Sequence, residues 1–130
     1  MSRDGRLAEL FRDHLPEWQW SRIETGPVCP GVPDLEYCAP GGVTGWIECK
    51  KTDGWRVYFT ELQPSWLSRR ARLGGRVTVA VRRKDKFLYL IQGLEILRLI
   101  EEKSLRGFQP LAGKEVREWD WKEIESNLRA

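Results

Sequence analysis

The chain has 130 residues and a formal net charge of +3, which is the size of one domain rather than two. Hydrophobic residues make up 41% and charged residues 32%, a balance that excludes a disordered chain. No apolar run is long enough to cross a membrane, and no signal peptide opens the sequence. We therefore expect a cytoplasmic protein with reduced cysteines, whose mild positive charge would meet an anionic partner through a local patch.

The hydrophobic pattern divides the chain into short helices and strands. In chain order these are a helix at about 4–14, an extended segment at 18–23, strands at 34–39 and 46–51, a helix at 60–73, strands at 77–81 and 87–91, and helices at about 94–103 and 121–128. A proline- and glycine-rich loop lies at 24–33. The order predicts one mixed α/β domain over 1–130, with a core at about 4–92 and a helical extension at about 93–130.

The start and the end of the second helix carry clear local signals. Thr60 and Gln63 have the spacing of a capping box, and Gly74-Gly75 provides a C-terminal stop. On a helical wheel, Gln63 and Arg70 lie on the side that faces the sheet. Two interpretations of Gln63 stay open: it caps the helix, or it holds substrate phosphate or a metal-bound water.

An acidic and basic group of residues lies on the predicted hairpin. Glu48 and Lys50 are two apart on a strand, so their side chains leave the same face, while Ile47 and Cys49 leave the other. Asp34 opens the preceding strand and can lie beside Glu48. Two carboxylates suit a hard divalent cation, and a nearby ammonium can offset charge on a phosphate oxygen. The alternative is a solvated hairpin with a weak cross-strand ion pair.

The segment from Gly31-Val32-Pro33-Asp34 to Glu48-Cys49-Lys50 resembles the Pro-Asp…(Asp/Glu)-x-Lys signature of the PD-(D/E)xK nuclease superfamily. It is most similar to the VRR-NUC-type and Holliday-junction-resolvase-like nucleases of phages, in which a Gly-x-Pro-Asp turn precedes the first carboxylate. A Gln-x-x-Trp helix at Gln63–Trp66, a glycine-rich stop and a valine strand follow in the same order. The resemblance covers about residues 7–91 and implies a restriction-endonuclease-like αβββαβ core, with a central mixed sheet flanked by helices.

The resemblance also implies an activity and residue roles. It implies an Mg²⁺- or Mn²⁺-dependent endonuclease that hydrolyses phosphodiester bonds in DNA with a metal-activated water. The implied metal ligands are Asp34, Glu48, the backbone carbonyl of Cys49 and a glutamate of the first helix, for which Glu9 is the candidate and Asp13 the alternative. The implied catalytic residues are Asp34, Glu48, Lys50, which would position or activate the water, and Gln63.

Two basic clusters and one aromatic residue are candidates for contacts with DNA. The predicted DNA-binding residues are Arg69, Arg70, Arg72, Arg82, Arg83 and Lys84. Trp55 lies in the loop after the strand of Glu48, where an exposed ring could stack on an unpaired base. Solvated surface charge and a buried ring are the simpler interpretations. Three other tryptophans occupy periodic positions and are predicted to be buried: Trp46, Trp66 and Trp121.

The resemblance implies an endonuclease selective for branched or junction DNA, and a phage or prophage origin. A junction resolvase needs two active sites on one substrate, so we expect a homodimer, to which the apolar 94–128 segment could contribute. A flap or nicking enzyme could act singly. The alternatives from other classes are a non-catalytic nucleic-acid-binding module with a nuclease-like fold, and a protein-interaction domain with an accidental motif.

Overall fold

The computed structural model of the protein describes residues 4–24 and 31–130. Residues 25–30, which include Cys29 and most of the predicted 24–33 loop, lie outside the described residues. In chain order the elements are α1 (Leu7–His14), β1 (Gln19–Arg22), β2 (Leu35–Ala39), β3 (Val43–Thr52), α2 (Gln63–Arg72), β4 (Val77–Arg83), β5 (Phe87–Gln92), α3 (Glu95–Glu102), a 3₁₀ turn (Val116–Glu118) and α4 (Trp121–Arg129). The predicted order of helices and strands is confirmed, and boundaries differ by a few residues.

The strands form one mixed sheet. Within the described part of the chain it has five strands in the order β1-β2-β3-β4-β5. β3 and β4 are parallel, and every other neighbouring pair is antiparallel. A parallel pair needs a crossover connection, which α2 supplies. The first helix, three strands, second helix and fourth strand therefore form the αβββαβ core that the sequence predicts.

Helices cover both faces of this sheet. α1 and α4 pack on one face, where Phe11 and Ile124 join the same buried cluster. α2 and α3 pack on the other face through Leu67 and Leu99. Because both faces are covered, every residue from Val77 to Val81 on β4 is buried, as is typical of a central strand. Among the described residues, no helix combines the length and the apolar character needed to cross a membrane.

The helical extension packs onto the core. Leu105, Trp119 and Leu128 are each at most 5% exposed, and the Tyr37 hydroxyl donates a hydrogen bond to the Leu128 carbonyl. The apolar side chains of this segment are thus largely buried against the core of the same chain. This removes the reason for which the sequence assigned them to a dimer contact.

The tryptophans are distributed differently from the prediction. Trp46, Trp66 and Trp121 are half-buried at the margins of the two clusters. Trp18 and Trp119, which are not among the tryptophans predicted to be buried, are instead buried at 5% exposure each. Periodicity identified the sheet-facing side of each element, but the depth of each ring depends on which other elements lie above it.

Candidate active site

Alternate residues of β3 face opposite helical layers. Ile47 and Cys49 are buried in the cluster beneath α1 and α4. Glu48 and Lys50 point to the other face, where both form hydrogen bonds to Gln63 at the start of α2. The two-residue spacing on a strand dictates this arrangement.

Asp34 joins this pair from the residue before β2. Leu35 pairs with Ile47 across the antiparallel β2–β3 ladder, which brings Asp34 opposite Glu48. Oδ2 of Asp34 accepts a hydrogen bond from the backbone N–H of Cys49 at 3.1 Å. The carboxylate is therefore held against β3, and the structure brings Asp34, Glu48, Lys50 and Gln63 together.

The turn before Asp34 requires glycine. Gly31 has φ of +89°, and a Cβ there would lie 2.8 Å from the carbonyl carbon of Leu62. Leu62 directly precedes α2, so the glycine lets the turn that carries Asp34 touch the start of the helix that carries Gln63. Only a residue without a side chain fits both the left-handed backbone and this close approach.

Gln63 connects the other members of the site. Its Oε1 accepts hydrogen bonds from Lys50 Nζ at 2.8 Å and from the Thr60 backbone N–H at 2.9 Å. Its Nε2 donates to Glu48 Oε2 at 2.9 Å. Two donors on one side and a carboxylate on the other fix the orientation of the amide. Gln63 therefore makes one contact of the predicted capping box and also bonds Lys50 and Glu48. A role in holding substrate phosphate or a metal-bound water stays a prediction.

The capping box is formed in part. α2 begins at Gln63 rather than at Thr60, and no side chain caps its first turn. The bond from the Thr60 N–H to Gln63 is one half of the motif, and the Thr60 hydroxyl does not supply the other half. The side-chain amide is thereby drawn toward the sheet.

Lys50 is enclosed by protein. Its side chain is 16% exposed, and its Nζ lies 3.6 Å from Glu48 Oε2 and 4.9 Å from the centre of the Phe59 ring. Burial lowers the pKa of Lys50, although the charges of Glu48 and Asp34 oppose that shift. The amine is therefore a partly desolvated donor, which interacts more strongly with nearby charge than an exposed lysine does.

The pKa values of the Asp34 and Glu48 carboxyl groups are both raised. The pKa of Glu48 is raised to about 7, first by burial and then by the adjacent Asp34 charge, which together outweigh the opposing effect of Lys50. Burial also raises the pKa of Asp34, against the effects of the Cys49 N–H and Lys50. Two carboxylates forced together in a partly buried site behave in this way when nothing neutralises them. Burial likewise raises the pKa of the Cys49 thiol, so that residue is not a nucleophile.

The hydrogen bonding of Glu48 Oε1 indicates whether a cation fits the site. Oε1 of Glu48 is buried and accepts no hydrogen bond of normal geometry among the described residues. A buried carboxylate oxygen left without a donor is costly unless it is protonated or binds a cation. Because Asp34 brings a second carboxylate beside Glu48, one divalent cation would satisfy both groups. Within residues 4–24 and 31–130, no group of three or more Asp, Glu, His and Cys side chains is arranged to hold a metal. Two carboxylates completed by carbonyl, water or phosphate oxygens are the donor set typical of Mg²⁺.

The first helix does not bring Glu9 to this site. Glu9 Oε2 accepts hydrogen bonds from Arg6 Nε and Nη2 at 3.0 and 2.8 Å on the surface. The assignment of Glu9 as a metal ligand is corrected accordingly. The acid of this segment that acts on the site is Asp4, which is 9% exposed, raises the pKa of Asp34 and lies 3.8 Å from Arg22.

Sequence reasoning treated Asp4 only as the start of a helix. The helix begins at Leu7, because Gly5 and Arg6 both have positive φ and residues 4–6 form a turn. An Asp-Gly pair is a turn signal that could have indicated this. The turn directs Asp4 inward, whereas Glu9 emerges one helical turn later on the outer side.

The six predicted DNA-binding arginines and lysine separate into an exposed group, a half-buried group and the buried Arg83. Arg69, Arg72 and Lys84 are exposed. The guanidinium of Arg70 lies over Trp66 at 4.4 Å, and that of Arg82 donates to the Gly5 and Asp85 carbonyls. These two are half-buried structural contacts.

The prediction that Arg83 binds DNA is corrected by its burial. It is 6% exposed, its Nε donates to the Tyr89 hydroxyl, and its guanidinium lies 4.0 Å from the centre of the Trp55 ring. Trp55 is itself half-buried, and Arg106 lies 4.9 Å from the centre of the same ring. Arg83 cannot reach a DNA backbone from this position, and Trp55 does not present a bare ring for stacking.

Fold and site together define a mixed α/β domain: within the described residues, a five-stranded sheet flanked by helices carries two acids and a lysine at its β2–β3 hairpin, which is the architecture that the sequence resemblance implies. Among solved structures, the chain is similar to Hjc from Archaeoglobus fulgidus, a Holliday junction resolvase of an archaeal hyperthermophile. The two share 18% identity with a TM-score of 0.48, over 65% of this chain and 71% of that one. No protein-family model and no curated protein matches the sequence. A likeness this distant carries no argument about chemistry, which rests on the residues described above.

Proposed function

We propose that this protein is a divalent-metal-dependent endonuclease that hydrolyses phosphodiester bonds in DNA. The observation that carries the proposal is the buried, unsatisfied Oε1 of Glu48, which lies beside Asp34 and within a network that contains Lys50. Asp34 and Glu48 would hold Mg²⁺ or Mn²⁺, with the Cys49 carbonyl as a further oxygen.

The chemistry then divides among these residues. A bound Mg²⁺ or Mn²⁺ would supply Lewis-acid polarisation of the phosphate and ease deprotonation of the attacking water. The Lys50 ammonium would offset negative charge that develops on the phosphate oxygens, in a site where burial strengthens that interaction. Because its pKa is lowered, Lys50 is neutral in a larger fraction of molecules than an exposed lysine is, and in that neutral form its amine can accept a proton from water.

The substrate we propose is branched DNA, with two protomers acting on one junction. Of the predicted DNA-binding residues, Arg69, Arg72 and Lys84 are exposed and can contact the phosphate backbone. The sequence resemblance supports assignment to the VRR-NUC-type nucleases of phages, acting in the cytoplasm of a bacterial host. Sedimentation tests the homodimer, and a monomer would favour a flap or nicking enzyme.

Incubation of the purified protein with a four-way junction, a flap and a plain duplex tests the activity. With millimolar Mg²⁺ or Mn²⁺ we expect cleavage of branched DNA, and none in EDTA. Cleavage that persists in EDTA would contradict the metal site. Salt-dependent binding without cleavage under any condition would identify the non-catalytic binding module instead.

Gln63 is proposed as a positioning residue. Gln63→Ala removes its bonds to Lys50 and Glu48, so we expect kcat to fall by about 10- to 100-fold while KM changes little. The pH dependence of kcat should also shift, because Lys50 and Glu48 lose a shared partner. Ser65→Ala, at an exposed position on the same helix, is the control. An unchanged pH profile together with a lower melting temperature would assign Gln63 a structural role only.

A further inference from the structure

The segment after β3 is held firmly at several points. The Thr52 hydroxyl donates a hydrogen bond to the Arg56 carbonyl at 2.9 Å, and the Leu105 N–H donates to the Trp55 carbonyl at 2.8 Å. The Val57 N–H donates to the Lys103 carbonyl at 3.0 Å. These bonds fix the backbone of residues 55–57, so the directions of the side chains that follow are set by the fold.

The next side chains alternate between the interior and solvent. Val57 is 2% exposed, and Tyr58 is 69% exposed. Phe59 turns back and places its ring centre 4.9 Å from Lys50 Nζ. Tyr58, with its exposed ring, therefore directly precedes Phe59, which contacts the proposed catalytic Lys50.

Arg56 accompanies this ring. Its guanidinium lies 5.2 Å from the centre of the Tyr58 ring, and both residues are exposed. A single exposed aromatic residue is common on protein surfaces and needs no explanation by itself. Here the ring is presented on a fixed backbone, beside a cation and next to an acidic site suited to a metal. This combination matches surfaces that stack a nucleobase and contact its phosphate.

We propose that Tyr58 and Arg56 form a stacking platform for an unpaired nucleobase adjacent to the scissile phosphate. The proposal rests on the proposed function, since the platform serves a DNA strand that enters the Asp34–Glu48 site. Tyr58 takes the stacking role predicted for Trp55, because the Trp55 ring already packs against Arg83 and Arg106. The platform favours DNA with unpaired bases at a branch over plain duplex.

Binding measured in EDTA tests this platform without cleavage. The probe is a fluorescein-labelled flap with a thymine single-stranded arm, and a second probe carries abasic sites in the arm near the branch. We expect Tyr58→Ala to weaken binding of the first probe by about 5- to 100-fold. With the abasic probe the parent and the variant should bind equally. Tyr58→Phe keeps the ring and should bind within about twofold of the parent.

Leu94→Ala is the matched control. Leu94 is 65% exposed and lies two residues after Gln92, which pairs with Thr78 near the start of β4. The 55–59 segment follows Thr52, which pairs with Arg83 at the other end of β4. We expect this variant to bind both probes as the parent does. Equal binding by Tyr58→Ala and the parent would overturn the platform, as would an equal loss in Tyr58→Phe. Failure of the parent to bind either probe would overturn it as well.

The outcome is separate from that of the cleavage assay. A base-dependent loss in Tyr58→Ala supports the platform even if no DNA is cut with Mg²⁺ or Mn²⁺, in which case the nuclease proposal fails alone. Cleavage that depends on the metal, with binding indifferent to Tyr58, removes the platform and leaves the nuclease.

Discussion

Alanine at Lys50 is expected to lower the rate of DNA cleavage by at least about 10²-fold, because a preorganised donor of positive charge is lost. Alanine at Asp34 should have an equal or larger effect, because a ligand of the proposed cation is removed. Neither side chain belongs to the two buried apolar clusters, so the fold should be retained. Single-turnover rates on a branched substrate measure the loss, and circular dichroism checks the fold.

Lys51→Ala is the control for Lys50→Ala. Lys51 is the next residue on β3, and its Nζ lies 3.7 Å from Asp85 Oδ1, away from Gln63 and Glu48. We expect its cleavage rate to stay close to that of the parent. Equal rates for the Lys50 and Asp34 variants and the parent would remove both proposed roles, whatever activity the protein has.

The second large effect concerns Glu48 and stability. Because its pKa rises from 4.5 to about 7 on folding, the folded state keeps a proton that the unfolded chain releases across that range. The free energy of unfolding of the metal-free protein should therefore fall as pH rises from 4.5 to about 7, and level off above it. At about 1.4 kcal/mol per pKa unit the upper bound is roughly 3 kcal/mol. The raised pKa of Asp34 acts in the same direction from its usual value of 3.8.

Glu48→Gln should remove most of this pH dependence and stabilise the metal-free protein above neutral pH by several degrees. The glutamine keeps the size of the side chain without its buried charge. Thermal melts in EDTA across the pH range measure the effect, with the exposed Glu101→Gln as the control. A variant that melts like the parent above neutral pH would contradict the assignment of a buried, unneutralised charge. The same substitution should abolish cleavage. A gain in stability together with a loss of activity would show that the Glu48 charge needed for cleavage destabilises the metal-free protein.

The sequence was sufficient for the arrangement of the hairpin acids and the lysine. A two-residue spacing on a strand places Glu48 and Lys50 on one face whatever surrounds them, and the hairpin register then fixes Asp34 opposite Glu48. The order of helices and strands followed from periodicity and turn residues in the same way. These features depend on neighbours close in sequence.

Features that depend on distant contacts could not be predicted. Arg83 is buried because Trp55 and Tyr89 pack around it. The sequence does not distinguish a buried arginine from its exposed neighbours in a basic run. The choice between Asp4 and Glu9 depends on the turn at residues 4–6. The contacts of Gln63 with Lys50 and Glu48 depend on the start of α2 lying against the turn at Gly31, which is distant from it in sequence.

Titration of the purified protein with Mn²⁺, followed by the electron paramagnetic resonance signal of the free ion, tests most directly whether Asp34 and Glu48 bind one cation together. The account predicts a single site in the parent that is weakened at least about tenfold in Asp34→Asn and in Glu48→Gln. Glu9→Gln should bind Mn²⁺ as the parent does, because Glu9 pairs with Arg6. Indistinguishable titrations of the parent, Asp34→Asn and Glu48→Gln would contradict the account.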